Sequence, residues 1–182
     1  VQLPDMLVAV IQRAPVVGAK VVSVDSAAAL QVPGVRKVLA IPGRPDVLGG
    51  NLEGVAVLAD TFWAAQQGRK VLEIKWSDSP LAGFDSEQLF SAQAKAIGDP
   101  QAQTVKAMTQ GDVAGQWAGA AKLIEADYTM PYKVQNPLEP ICITAQVKDK
   151  AITYWGGVQV PSSALEAAQT VCGIDKANVT IH

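Results

Sequence analysis

Short apolar stretches, each bounded by Pro, Gly, Asp or Ser, recur along this 182-residue chain. Met6–Arg13 (MLVAVIQR) is apolar and ends in alternation, which predicts a strand stopped at Ala14-Pro15. Lys20–Val24 predicts a second strand, with Asp25 or Ser26 placed to cap a short helix over Ala27–Leu30. Pro33-Gly34 is a turn before a third strand at Val35–Ile41. Pro42–Leu52, with three glycines and two prolines, is a loop in which Gly49-Gly50-Asn51 reads as a hairpin tip. Val55–Ala59 predicts a buried strand, and Asp60 or Thr61 caps a helix over Phe62–Gln67 that Gly68 closes. Val71–Trp76 alternates and sets Glu73 and Lys75 on a polar face.

Beyond Trp76 the rhythm changes. A helix is expected over Ser86–Ala96, followed by a polar connector at Gly98-Asp99-Pro100, and Gly111-Asp112 opens a short Ala-rich segment running past Trp117. Lys122–Thr129 alternates, with Leu123, Glu125 and Asp127 on one face and Ile124, Ala126 and Tyr128 on the other, which predicts a strand. Ile141–Val147 and Ala151–Trp155 predict a hairpin across Lys148-Asp149-Lys150. Pro161-Ser162-Ser163 starts a helix through about Val171, Gly173 ends it, and Val179–Ile181 opens a strand that the chain end cuts short. No internal repeat or low-complexity tract is present.

With 49% hydrophobic and 18% charged residues the chain can build a core over most of its length. The formal net charge is −2, and the longest basic runs are the pairs Arg36-Lys37 and Arg69-Lys70, too short to track a phosphate backbone; nucleic acid is not an expected partner. No apolar run approaches the ~20 residues of a membrane-spanning helix. Val1–Met6 lacks a charged region followed by an apolar one, so no signal peptide is expected here. The compartment, bacterial periplasm or cytoplasm, stays open. Cys142 and Cys172 lack metal-ligand spacing and lie in apolar stretches, where free thiols are usually buried.

Candidate chemistry is sparse. His182 is the single histidine and the last residue, which removes His-based triads and histidine metal clusters and leaves an exposed bystander as the expected role. No phosphate-binding glycine loop is present. Glu125 and Asp127 read as a solvated face. Glu139 stands between two prolines in Asn136-Pro137-Leu138-Glu139-Pro140, which biases its backbone toward extended geometry. So held, it can orient a ligand or satisfy neighbouring N–H donors, the commoner task of a loop carboxylate. Gln159, between a strand end and a helix start, can donate to an oxo group or to a pterin acceptor, or be a surface amide before a helix.

Two ordered sets of residues carry a resemblance. The first is Met6-Leu7, Ala9, Arg13, Pro15, Val24-Asp25, Pro33-Gly34-Val35, then Gly54–Val57, Ala59-Asp60, Phe62–Ala65 and Gly68-Arg69. The second is Gly111-Asp112, Tyr128, Pro131-Tyr132, Asn136–Pro140, Trp155, Gln159 and Pro161. Together they resemble the molybdenum-binding large subunits of the xanthine dehydrogenase/aldehyde oxidase family, nearest the isoquinoline 1-oxidoreductase β-subunit type. The resemblance implies an α+β fold: an α/β hammerhead domain with mixed sheet and short helices over 1–76, a linker with one helix over 77–110, and an incomplete α/β segment over 111–182 that begins the molybdenum-cofactor domain.

It further implies a molybdopterin enzyme, commonly with the cytosine dinucleotide form. Such an enzyme hydroxylates an N-heterocycle or aldehyde carbon of a small-molecule substrate with water oxygen, and passes electrons to 2Fe-2S clusters on a small partner subunit. The chain departs from the family where His commonly stands four residues before the Glu of the Pro-x-Glu-Pro stretch; here it is Gln135. The family's Gly-Gly-Phe-Gly segment, later cofactor loops and catalytic Glu are missing from these residues, so Glu139 is not that base. Glu139 and Gln159 are then supporting cofactor-binding candidates, no catalytic or metal-ligating residue is assigned, and this chain alone is expected to be inactive and cofactor-free. The competing expectation is a non-catalytic binding or interaction module sharing the hammerhead fold.

Overall fold

The computed structural model describes residues 1–44 and 52–182, so the expected tip at Gly49-Gly50-Asn51 lies outside the described residues. These residues divide into two units, Val1–Phe84 with Glu139–His182, and Asp85–Leu138.

In the first unit, β1 (Val8–Arg13), β3 (Val35–Ile41) and β4 (Gly54–Ala59) form an antiparallel sheet with β4 in the centre. β4 reads GVAVLA because a central strand covered on both faces has no solvent side to place polar residues on; Val55 and Val57 are fully buried. Each such valine contributes about 1.5–3 kcal/mol on burial. α1 (Ala27–Leu30) packs on β3 and on α2 (Phe62–Lys70), which lies against β1 and β4 through Ala64, Ala65 and Gly68. Thr61 caps α2, its Oγ1 accepting from the Ala64 N–H at 3.2 Å. At α1 the cap is offset: Asp25 Oδ1 accepts from the Ala27 N–H at 2.9 Å, whereas the Ser26 side chain makes no cap bond.

Gly68 does not close α2; the helix runs on to Lys70. A Cβ on Gly68 would sit 2.9 Å from Val35 Cγ2 and 3.0 Å from Val57 Cγ1, so this glycine lets helix and sheet approach. β2 (Val21–Asp25) and β5 (Glu73–Trp76) make a separate antiparallel pair, with Glu73 and Lys75 exposed as their alternation predicts.

The remainder of the first unit is a mixed sheet. β6 (Thr144–Lys148) pairs antiparallel with β7 (Ala151–Trp155), and β7 pairs parallel with β8 (Val179–Ile181) after α5 (Pro161–Cys172) and a 3₁₀ turn at Lys176–Asn178. Asp149 and Lys150 both take positive φ, 50° and 64°, the geometry of a two-residue hairpin turn. The first strand of the hairpin starts at Thr144 rather than Ile141, because Cys142 and Ile143 run beside Gly156, where the chain has left the ladder. Both cysteines are exposed, contrary to expectation. Cys142 lies in the uncovered approach to β6, and Cys172 is the last residue of α5.

The second unit holds α3 (Ser86–Gly98) and α4 (Val113–Ala118). Asp85 caps α3 by accepting from the Glu87 and Gln88 N–H groups at 2.8 and 2.9 Å, and Asp112 caps α4 through the Gly115 N–H at 3.0 Å. None of its described side chains is buried. The strand expected at Lys122–Thr129 is absent: the segment has no ladder partner among the described residues, and alternation without a partner leaves an exposed chain without regular structure. Glu125 and Asp127 are exposed there, as a solvated face requires.

Candidate functional site

β7, α5 and β8 form a strand–helix–strand unit whose interior is small. Ile152 on β7, Ala168 on α5 and Ile174 pack together with Tyr154 and Val179 against them. Parallel pairing of β7 and β8 aligns Tyr154 with Ile181, so both strands deliver their carboxyl ends to one edge. That edge is where open α/β sheets hold ligands, in the crevice beyond the strand ends.

His182 extends this edge. Its N–H donates to the Tyr154 carbonyl at 2.9 Å, and its carbonyl accepts from the Gly156 N–H at 3.3 Å. Its ring stacks on Trp155, centroids 5.6 Å apart and planes 17° from parallel. The residue is exposed, as expected, and ladder bonds and an aromatic neighbour order it at the sheet edge. Burial pushes the Tyr154 hydroxyl above its ordinary range, and the neighbouring Cys172 adds to the shift.

Gly156 is the residue that shapes the loop. Its φ is +151°, and a Cβ there would lie 2.6 Å from the Cys142 carbonyl oxygen, so no other residue fits without moving backbone. The chain then passes through Gly157 and Val158 to Gln159, which is exposed in a bend, and enters α5 with Pro161 in its first turn. Val160 precedes the helix without a side-chain cap. Pro161 has no N–H and the Ser163 N–H is bonded to the Val160 carbonyl at 3.0 Å, whereas the Ser162 N–H has no protein acceptor among the described residues.

Glu139 is exposed in a bend rather than an extended stretch, and it makes no hydrogen bond or ion pair among the described residues. Neither a backbone donor nor Gln159 engages it. Among the described residues no cluster of three or more His, Cys, Asp and Glu side chains is placed to hold a metal ion. The Glu166–Lys176 pair beside α5 is long, 3.9 Å, and half-exposed, so it contributes little. Sequence reasoning missed Gly156 and the Trp155–His182 stack. The signal was in view, since Trp155-Gly156-Gly157 ends an apolar strand.

Residues 97–182 match the molybdopterin cofactor-binding domain family. The likeness to molybdenum-hydroxylase large subunits extends along the whole chain. It is 29% identical to the β chain of isoquinoline 1-oxidoreductase from Brevundimonas diminuta, the match covering 100% of this chain and 23% of that one. It is 26% identical to a nicotinate dehydrogenase polypeptide of Pseudomonas putida, over 99% of this chain and 15% of that one. In fold it matches quinoline 2-oxidoreductase from Pseudomonas putida 86 with a TM-score of 0.65 at 17% identity, over 100% of this chain and 27% of that structure. The chain therefore spans less than a quarter of the length of the curated relatives it matches.

A molybdopterin presents a pterin edge of donors and acceptors and an anionic phosphate, so its cradle needs convergent amide donors and a cation or an open helix N-terminus. Of these, the molybdopterin-domain segment offers the Gln159 amide and the Ser162 N–H at the strand ends, with no Lys or Arg from Gly156 to Leu165. That set does not by itself fit the whole group, and no catalytic step follows from it.

Proposed function

We propose that these residues are a scaffold-forming portion of a molybdenum hydroxylase large subunit, with a hammerhead domain over 1–76, a linker over 77–110 and the start of the cofactor domain over 111–182. The observation that carries this is the family match over 97–182, whose β7–α5–β8 unit presents its strand ends beside a loop fixed by Gly156. The full-length protein hydroxylates an N-heterocycle or aldehyde carbon with oxygen from water. It holds molybdopterin, as the cytosine dinucleotide, and sends electrons to a small 2Fe-2S subunit. The names of the curated relatives support the heterocycle class. Gln159 and Glu139 support the cofactor from outside its direct shell.

The test is molybdenum and pterin analysis of the full-length gene product beside the 182-residue chain. Loading of the first and none of the second is the expected result. Stoichiometric molybdopterin on the short chain, or none on the full-length protein, overturns the reading.

A further inference from the structure

We propose that Arg44 is a positioning residue: it caps the C-terminal end of α5 and thereby holds that helix, with Gln159 ahead of it, to the region of the β1-β4-β3 sheet. This rests on the reading of 1–76 and 111–182 as parts of two domains; both ends of the contact lie in the first unit.

The need for the cap begins in α5 itself. A helix leaves its last four carbonyls without intrahelical donors. Gly173, at a φ of 66°, turns the chain so that its own N–H donates to the Gln169 carbonyl at 3.0 Å and the Ile174 N–H reaches back to the Ala168 carbonyl at 3.2 Å. That turn diverts Ile174 from the Thr170 carbonyl, its regular partner in a continuing helix. Arg44 Nη2 takes the diverted place, donating to the Thr170 carbonyl at 3.3 Å from 126 positions away. A guanidinium there also faces the negative end of the helix dipole. Basic residues in a helix's own last turn ordinarily supply that charge, and α5 has none.

The two regions have separate cores. Ala59, Ala64 and Ala65 pack with Val10 and Val35, whereas Ile152, Ala168 and Ile174 pack with Tyr154 and Val179, and no residue is shared. Where the N-terminal segment meets β6 there is an open groove of about 660 Å³, lined in part by Met6, Val8, Ile143 and Ala145. A half-buried, charge-assisted bond thus sets the placement of α5 where apolar packing does not. Because α5 is 12 residues of continuous helix, holding its last turn also holds its first, just after Gln159.

Hydrogen–deuterium exchange read by mass spectrometry tests this on the full-length gene product carrying Arg44→Gln, Arg44→Lys or, as a control, Arg36→Gln. In Arg44→Gln the Gly173 and Ile174 amides are expected to exchange about 10-fold faster, and the Ser163 amide at the start of α5 to quicken with them. Arg44→Lys keeps a cation at the helix end and should show a smaller effect. Arg36→Gln loses only the pair with Asp60 and should leave α5 unchanged. Unchanged exchange in Arg44→Gln overturns the proposal, as does equal acceleration in Arg36→Gln or in Arg44→Lys. Acceleration confined to Gly173 and Ile174 also overturns it, because the cap would then be local. Molybdenum content of the unsubstituted protein separates the two readings: an unloaded protein with the expected exchange pattern sinks the enzyme assignment alone, and a loaded one without it sinks the positioning role alone.

Discussion

Val57 and Ile124 are both β-branched residues in apolar, strand-like segments, yet Val57 is 0% and Ile124 is 83% exposed. The difference lies in what surrounds them. Val57 sits on the central strand, paired with Val10 on one side and Val38 on the other, with α2 over its face through Gly68. Ile124 has no ladder partner among the described residues. Alternation specifies which face a strand will bury; only a neighbouring strand supplies the hydrogen bonds and cover that make it one.

The largest effect should come from placing a charge at both positions. Val57→Asp buries an unpaired carboxylate and is expected to cost about 4 kcal/mol or more, whereas Ile124→Asp in the 182-residue chain should stay within about 0.5 kcal/mol, both read from urea unfolding midpoints. Equal costs at the two sites would break the contrast. A smaller effect is expected at the loop of the candidate site. Gly156→Val forces a Cβ against the Cys142 carbonyl at a φ of +151° and should cost about 1–3 kcal/mol. Gly157→Val, with nothing within 4 Å of its Cβ, is the control that should cost far less by the same measurement.

Helix caps sharpen the comparison further. Thr61→Ala should lower the stability of the first unit by about 1 kcal/mol, because α2 is part of its core. Asp85→Ala should instead fray the start of α3, seen as faster amide exchange at Glu87 and Gln88, without moving the main unfolding midpoint. The smallest effect concerns Asp60, whose carboxylate receives two hydrogen bonds from Arg36 at 2.8 and 2.6 Å. The hydrogen bonds to Arg36 hold Asp60 below its ordinary carboxylate range. A folded-state pKa below the unfolded one adds stability above the unfolded pKa and loses it as pH falls through the folded one. Both side chains are largely in water, so the gain is slight. Arg36→Gln should lower the urea midpoint a little at neutral pH, and the gap should close on acidification below the usual carboxylate range.

Much of the first unit was legible because its elements carry local signals. Thr61 before an Ala-rich stretch, Pro161 and Gly173 around α5, and the apolar run at Val55–Ala59 each encode an element through capping, backbone restriction or burial. The candidate site was less legible. Gln159 was placed correctly between strand and helix, but the importance of Gly156 depends on Cys142, fourteen positions away in sequence, passing over it. The stack of Trp155 on His182 likewise depends on parallel pairing across the whole of α5.

By itself, then, the sequence determined where strands and helices have the means to begin and end, and the ordered residues that resemble a molybdenum hydroxylase large subunit. Tertiary structure decided which of them are realised. It turned Gly68 from a helix end into the contact that lets α2 reach the sheet, placed both cysteines in water, ordered His182 and left Lys122–Thr129 unpaired. The physical reason is common to all four: propensity and capping act within a few residues, whereas burial, close approach and ladder pairing belong to partners distant in the chain, or outside it.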